Sequence, residues 1–85
     1  MRIVLTRPAE KQFKKLHPVI KKKFIKQIAF LEVNPKHASL EIKKMVHSSL
    51  YEARIDRQYR FRFAWETDRI LITSIGPHDE GLGKK

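Results

Sequence analysis

Residues 50–78 read LYEARIDRQYRFRFAWETDRILITSIGPH. In the middle of this stretch Tyr59, Phe61, Phe63 and Trp65 recur at every second position, and Arg60 and Arg62 lie between them. A period of two belongs to a strand, so the aromatic rings share one face and the arginines the other. Just upstream, Tyr51, Ala53 and Ile55 share one face of a second strand, and Glu52 and Arg54 share its other face. Downstream, residues 70–75 form the most continuously apolar run and read as a central strand, buried on both faces or nearly so. Gly76-Pro77 stops that strand and aims His78 and Asp79 outward from its end.

The first two strands constrain each other. A one-residue slip would set aromatic side chains against charged ones. A three-residue loop, Asp56-Arg57-Gln58, preserves parity and pairs Ile55 with Tyr59. Arg54 then lies opposite Arg60, and Glu52 opposite Arg62. The second pair is favourable; the first is a like-charge pair that ordinarily weakens a sheet. It is tolerated when an anion binds there or a carboxylate reaches in, or when Glu52 and solvent screen it. For the next connection, residues 66–68, the sequence allows a loop of two or three residues.

Outward from this stretch, the N-terminal half reads as one strand and two helices. Ile3, Val4 and Leu5 form a short first strand that joins the sheet at an edge or beside the central strand. Thr6 suits a helix cap, and Pro8 a first turn, where backbone N–H groups lack helical partners. Ala9, Phe13 and Leu16 follow at helical spacing. His17-Pro18 interrupts, and Pro18 starts a second helix. Its apolar stripe is Ile20, Phe24, Ile28 and Leu31, widened by Ile25, and Asn34-Pro35 ends it. Residues 36–49 are a basic connector with a short turn or strand near 40–45. The expected class is α+β with order β-α-α-β-β-β. A helical hairpin packs on the aromatic face of a small, mainly antiparallel twisted sheet, leaving Glu52, Arg54, Arg60 and Arg62 on the open face.

The 85 residues are expected to form a single domain, 1–85, with one modest core. Without cysteine there is no disulfide, thiol nucleophile or thiolate-bound zinc. Apolar runs stop well short of the ~18 residues of a membrane span, and no apolar leader opens the chain. The net charge of +10 calls for a polyanionic partner. It is placed unevenly: residues 1–47 hold twelve Lys/Arg against three Asp/Glu, and residues 48–85 seven against six. Phe13, Phe24, Tyr51 and Trp65 read as core, as does Tyr59, which also has the alternative of stacking on a base. His17, His37 and His47 read as solvated turn residues, and no metal site is expected.

These features together resemble the RelE/ParE superfamily of toxins from type II toxin–antitoxin systems. The resemblance rests on the short first strand, the helical hairpin ending in Asn34-Pro35, and Lys43-Lys44-Met45 in the connector. It also rests on Leu50-Tyr51-Glu52-Ala53-Arg54-Ile55, on Tyr59-Arg60-Phe61, and on a strand ending in Gly76-Pro77-His78-Asp79. It covers nearly the whole chain. The family implies a cytoplasmic protein that either cuts mRNA in the ribosomal A site without a metal or cofactor, or poisons DNA gyrase. A cognate antitoxin neutralises it, and no membrane is involved. A non-catalytic RNA- or partner-binding protein on the same fold is the third reading.

Carried over by position, Arg60 matches the family arginine that contacts the scissile phosphate, and Arg54 a basic position on the preceding strand. His78 stands where nucleolytic members place a basic or histidine residue. Glu52 occupies a place where the best-known RelE member has a lysine. The C-terminal tyrosine of several family nucleases has no counterpart, since Tyr59 is the last tyrosine. Metal-free cleavage needs a base for the 2′-OH, a cation for the phosphorane and an acid for the 5′-oxygen. The resemblance assigns these tasks to Arg60, Arg54, His78 and Glu52. Glu41 and Asp79 are further carboxylates, and Lys43, Lys44 and Arg62 are the expected RNA contacts.

Overall fold

The computed structural model describes residues 1–77. Five strands form one sheet: β1 (Arg2–Leu5), β2 (Lys43–Lys44), β3 (Leu50–Arg54), β4 (Tyr59–Trp65) and β5 (Arg69–Pro77). Helices α1 (Arg7–Lys15) and α2 (Pro18–Val33) follow β1, and a short 3-10 turn (Ala38–Leu40) precedes β2. The strand order is β1-β5-β4-β3-β2, with only β1 running parallel to its neighbour. The α+β class and the hairpin on one face agree with the sequence. The connector holds both a turn and, within the stretch where a short turn or strand was expected, an edge strand: Lys43 pairs with Glu52 and Lys44 with Tyr51.

Local chemistry sets the boundaries. The Thr6 hydroxyl accepts from Ala9 N–H at 3.3 Å and caps α1, with Pro8 in the first turn. His17 caps α2, its Nδ1 accepting from Val19 N–H at 3.2 Å. Asn34 N–H donates to the Phe30 carbonyl at 2.7 Å and closes α2. Across the β3–β4 hairpin the register is the one parity demands: Ala53 with Phe61, Arg54 with Arg60, Glu52 with Arg62. The next hairpin closes on Glu66 and Arg69, leaving Thr67 and Asp68 at its tip.

The core lies between the helices and the aromatic face. Ala53, Phe61, Phe63 and Ile72 are fully buried, with Leu31 and Leu40 sealing them. Phe24 of α2 meets Phe61 edge-on, centroids 5.4 Å apart, and Phe13 lies 5.5 Å from Phe24. β5 breaks the simple period. Ile70, Ile72 and Ile75 are all buried although their spacing is two and then three. A bulge makes this possible, since Arg62 pairs with Ser74 but Phe63 with Ile72, so Thr73 is extra.

Three expectations are corrected. β5 is interior to the sheet but covered on one face only, so Leu71, Thr73 and Ser74 stay half-buried. Ile25 is 57% exposed, because α2 turns Phe24, Gln27 and Leu31 inward instead. Trp65, at the end of β4 beyond the cover of the helices, is 39% exposed.

Candidate functional site

On the face away from the helices, alternation brings Glu52 and Arg54 of β3 beside Arg62 and Arg60 of β4. Lys43, opposite Glu52, joins them from β2; Lys44, opposite Tyr51, points to the helix side. Gly76 of β5 lies opposite Arg60, so no side chain crowds the guanidinium from that strand. His78 and Asp79, both expected near this point, lie outside the described residues.

Each arginine is held differently. Arg60 folds back on the hairpin turn, its Nη1 donating to the carbonyls of Asp56 and of Tyr59, the latter at 3.0 Å. Arg54 turns the other way, its Nη1 3.0 Å from Glu41 Oε2. The like-charge pair is thus relieved by a carboxylate, and it is Glu41 that supplies it. Glu41 reaches there from the left-handed backbone region, φ 45° and ψ 51°, a conformation costing roughly 1 kcal/mol for a residue with a Cβ. Arg62 is only 8% exposed. Its Nη1 donates to Ser74 Oγ at 3.1 Å, and its Nε lies 3.5 Å from Glu52 Oε2. Glu52 is also largely covered, so this pair forms the floor of the site while Arg54 and Arg60 form its rim.

Two residues that drew no attention as site residues hold the rim. Gln27 of α2 is 5% exposed, and its amide donates to the Arg54 carbonyl at 2.7 Å and the Ser39 carbonyl at 3.1 Å. The sequence signal was a polar residue on the inward stripe of α2. Asp56 builds the turn that holds Arg60: its Oδ1 accepts from Gln58 N–H at 2.9 Å and Tyr59 N–H at 2.8 Å. Burial pushes the Asp56 carboxyl up, but those two bonds and Lys23, 3.4 Å away, outweigh it and hold the group below its ordinary value. Asp-x-x directly before a strand is a turn signal readable from sequence. Between α2 and this turn lies a hollow of about 330 Å³, lined by Lys23, Lys26, Gln27, Glu41 and Arg54 among others.

No protein-family model matches the chain, and no curated protein matches it in sequence. Solved structures do. YafQ from Escherichia coli strain BL21(DE3) superposes with a TM-score of 0.79 at 16% identity, covering 98% of this chain and 100% of YafQ. A YoeB/ParE toxin from Agrobacterium tumefaciens gives 0.77 at 14% identity, covering 92% and 99%. The archaeal RelE of a RelE–RelB complex from Pyrococcus horikoshii OT3 gives 0.75 at 21% identity, covering 94% and 97%. The chain has the RelE/YoeB/YafQ fold. On this fold the arginine rim occupies the open face of the sheet, and among the described residues no helix is long and apolar enough to cross a membrane.

Proposed function

We propose that this protein is the toxin of a type II toxin–antitoxin system, cutting ribosome-bound mRNA and so arresting translation in the cytoplasm. The observation that carries the reading is the Arg54–Arg60 pair, set face to face by strand register on the open sheet of a RelE-type fold. From facing strand positions the two guanidiniums can converge on one phosphate once Arg54 leaves Glu41, each binding it bidentately and matching the spread charge of a phosphorane. The attacking group is the 2′-OH next to the scissile phosphate. Its oxygen bonds to phosphorus, the 5′-oxygen leaves with a proton, and a cyclic phosphate remains. No metal or cofactor enters this scheme.

In this scheme Arg60 and Arg54 hold the phosphate and His78 carries the proton. His78 follows two residues after Gly76, the partner of Arg60, and its ordinary pKa near ~6.5 suits either direction of transfer. Glu52 serves by neutralising Arg62 rather than as a base, because its carboxylate is largely covered and faces that guanidinium. Lys43 adds a contact to a flanking phosphate, and Lys44 one on the far side of the same strand. A cognate antitoxin, acidic enough to meet a surface of net charge +10, completes the system.

The test is induced expression of the wild type beside Arg60→Ala, with growth, protein synthesis and DNA damage followed separately. Arrest of translation that Arg60→Ala relieves, with mRNA cut by the purified protein on ribosomes, is the expected result. Intact mRNA under all conditions rejects it. DNA damage with translation unaffected moves the protein to the gyrase-poisoning branch.

A further inference from the structure

Trp65 is the one large ring of the aromatic stripe that the fold leaves open. Phe61 and Phe63 on the same strand are fully buried, yet Trp65 is 39% exposed. Its indole is not loose. Tyr51 meets it edge-on at 5.3 Å and 78°, and Phe63 backs it at 5.9 Å. In front of it lies a second hollow of about 330 Å³, walled by Pro35, Lys36, His37, Glu41 and Ile42. The His37 ring is fixed by stacking on Phe30, centroids 3.8 Å apart and planes within 12°. Its Nδ1 accepts from Ser39 N–H at 3.2 Å, which leaves Nε2 to carry a proton.

From this geometry we infer that the Trp65 hollow is a nucleobase-stacking subsite for single-stranded RNA, outside the cleaved step. The inference rests on the RNA reading above. A flat, rigid aromatic floor with a cation beside it is the arrangement that takes a base face, and stacking is indifferent to which base arrives. The walls supply both polarities that a base edge presents. His37 and Glu41 both line the hollow, the first a ring N–H donor and the second an acceptor.

Continuity with the arginine rim supports the assignment. Arg60 and Trp65 are five residues apart on β4, ~17 Å along an extended strand. The edge between the two faces is β2, which carries Lys43 on the arginine side and Lys44 on the Trp65 side. A strand of RNA leaving Arg60 and turning over this edge meets a cation on each face before reaching the indole.

Trp65 is the only tryptophan of the chain, so its fluorescence reports on this hollow alone. The probe is a short, mixed-sequence 2′-O-methyl oligoribonucleotide, which cannot be cut because its 2′ oxygens are blocked. Binding is followed by anisotropy of an end-labelled oligonucleotide, and the indole by titration with the unlabelled one. Saturation is expected to quench Trp65 emission by about half, whereas inorganic polyphosphate, which has no bases, binds without quenching. Trp65→Ala weakens RNA binding about fivefold or more, and Trp65→Phe, which keeps a ring and the packing, loses less. Lys36→Ala, an exposed change that leaves the fold intact, weakens binding and reduces the quench.

Oligonucleotide binding with unchanged emission and unchanged Trp65→Ala affinity overturns the subsite and leaves the cleavage reading standing. Failure of the oligonucleotide to bind at all overturns the subsite, and the cleavage reading stands or falls on the ribosome assay alone. A blue shift of Trp65 with an acidic peptide and none with RNA assigns the hollow to a protein partner and overturns the inference.

Discussion

At the scale of single residues, the two carboxylates nearest the arginines do different work, and substitution separates them. Glu52 faces Arg62 inside the sheet. Glu52→Gln keeps the shape and removes the carboxylate charge that faces a covered guanidinium. The expected loss is about 3 kcal/mol in denaturant unfolding. A stable but inactive Glu52→Gln protein would instead make Glu52 a base. Asp56 gives a pH signature. Its folded carboxyl titrates below its unfolded value near ~3.9, so the unfolded chain binds the proton first. The stabilisation is complete above that unfolded value and is lost as pH falls through the lower folded one. Thermal melts should therefore show Asp56→Asn less stable than wild type at pH ~6, with the gap closing toward pH ~3. A gap that stays constant with pH would show that the charge of Asp56 contributes nothing. Arg54 and Arg60 were legible as residues from alternation alone. Glu41 as the partner of Arg54 was not, because a carboxylate in an irregular connector, carried on left-handed backbone, leaves no periodic trace.

At the scale of elements, the β-hairpin was readable because face parity admits one register, and the helices because proline and asparagine mark their ends. β2 was readable only as a short turn or strand near 40–45, and the bulge in β5 escaped. A two-residue edge strand is too short to show alternation, and a bulge is by nature a break in the period used to find strands. The bulge carries a sharp expectation. Deleting Thr73 restores strict alternation and leaves Ile75 two residues after Ile72, on the core face and opposite Phe61. Circular dichroism should show that this deletion variant still folds, as should Thr73→Ala. An unfolded deletion variant would mean that the extra residue is needed for the bend of β5. The junction of α2 with the sheet is a second case. Gln27→Leu removes both donors to the Arg54 and Ser39 carbonyls. It should cost about 1–3 kcal/mol and speed amide exchange at the β3–β4 turn first. Uniform loss of protection across the sheet would argue against a local role for Gln27. The misjudged Trp65 belongs at this scale too. Alternation correctly gave its face, but the helices end before they reach it, and helix reach is a tertiary fact.

At the scale of the molecule, the lysines spread over the helical half give a long-range positive field, and the arginines give local contacts. Affinity for a non-cleavable RNA should fall steeply with salt, with a log–log slope of about −2 to −3 for three or four phosphates. Lys-to-Ala changes on the outer side of α2 should weaken binding while leaving that slope nearly unchanged, since they steer rather than touch. A slope near zero would point to a partner recognised without phosphate contacts. Charge imbalance was plain in the sequence. That the lysines of α2 and the arginine rim belong to different layers, with Lys23 and Lys26 meeting Arg54 at the hollow between them, follows only once the sheet is assembled.

Glu41 gives the rim one further property. Since Arg54 already carries a carboxylate, an arriving phosphate replaces one anion with another rather than filling a vacancy. The swap gains little net free energy at that contact, because an exposed pair of this kind contributes only ~0–1 kcal/mol either way. The same near-balance lets a product end leave as readily as a substrate enters. A site tuned in this manner favours repeated turnover over retention. Glu41→Ala should accordingly bind cut RNA more tightly and, once release becomes limiting, turn over more slowly.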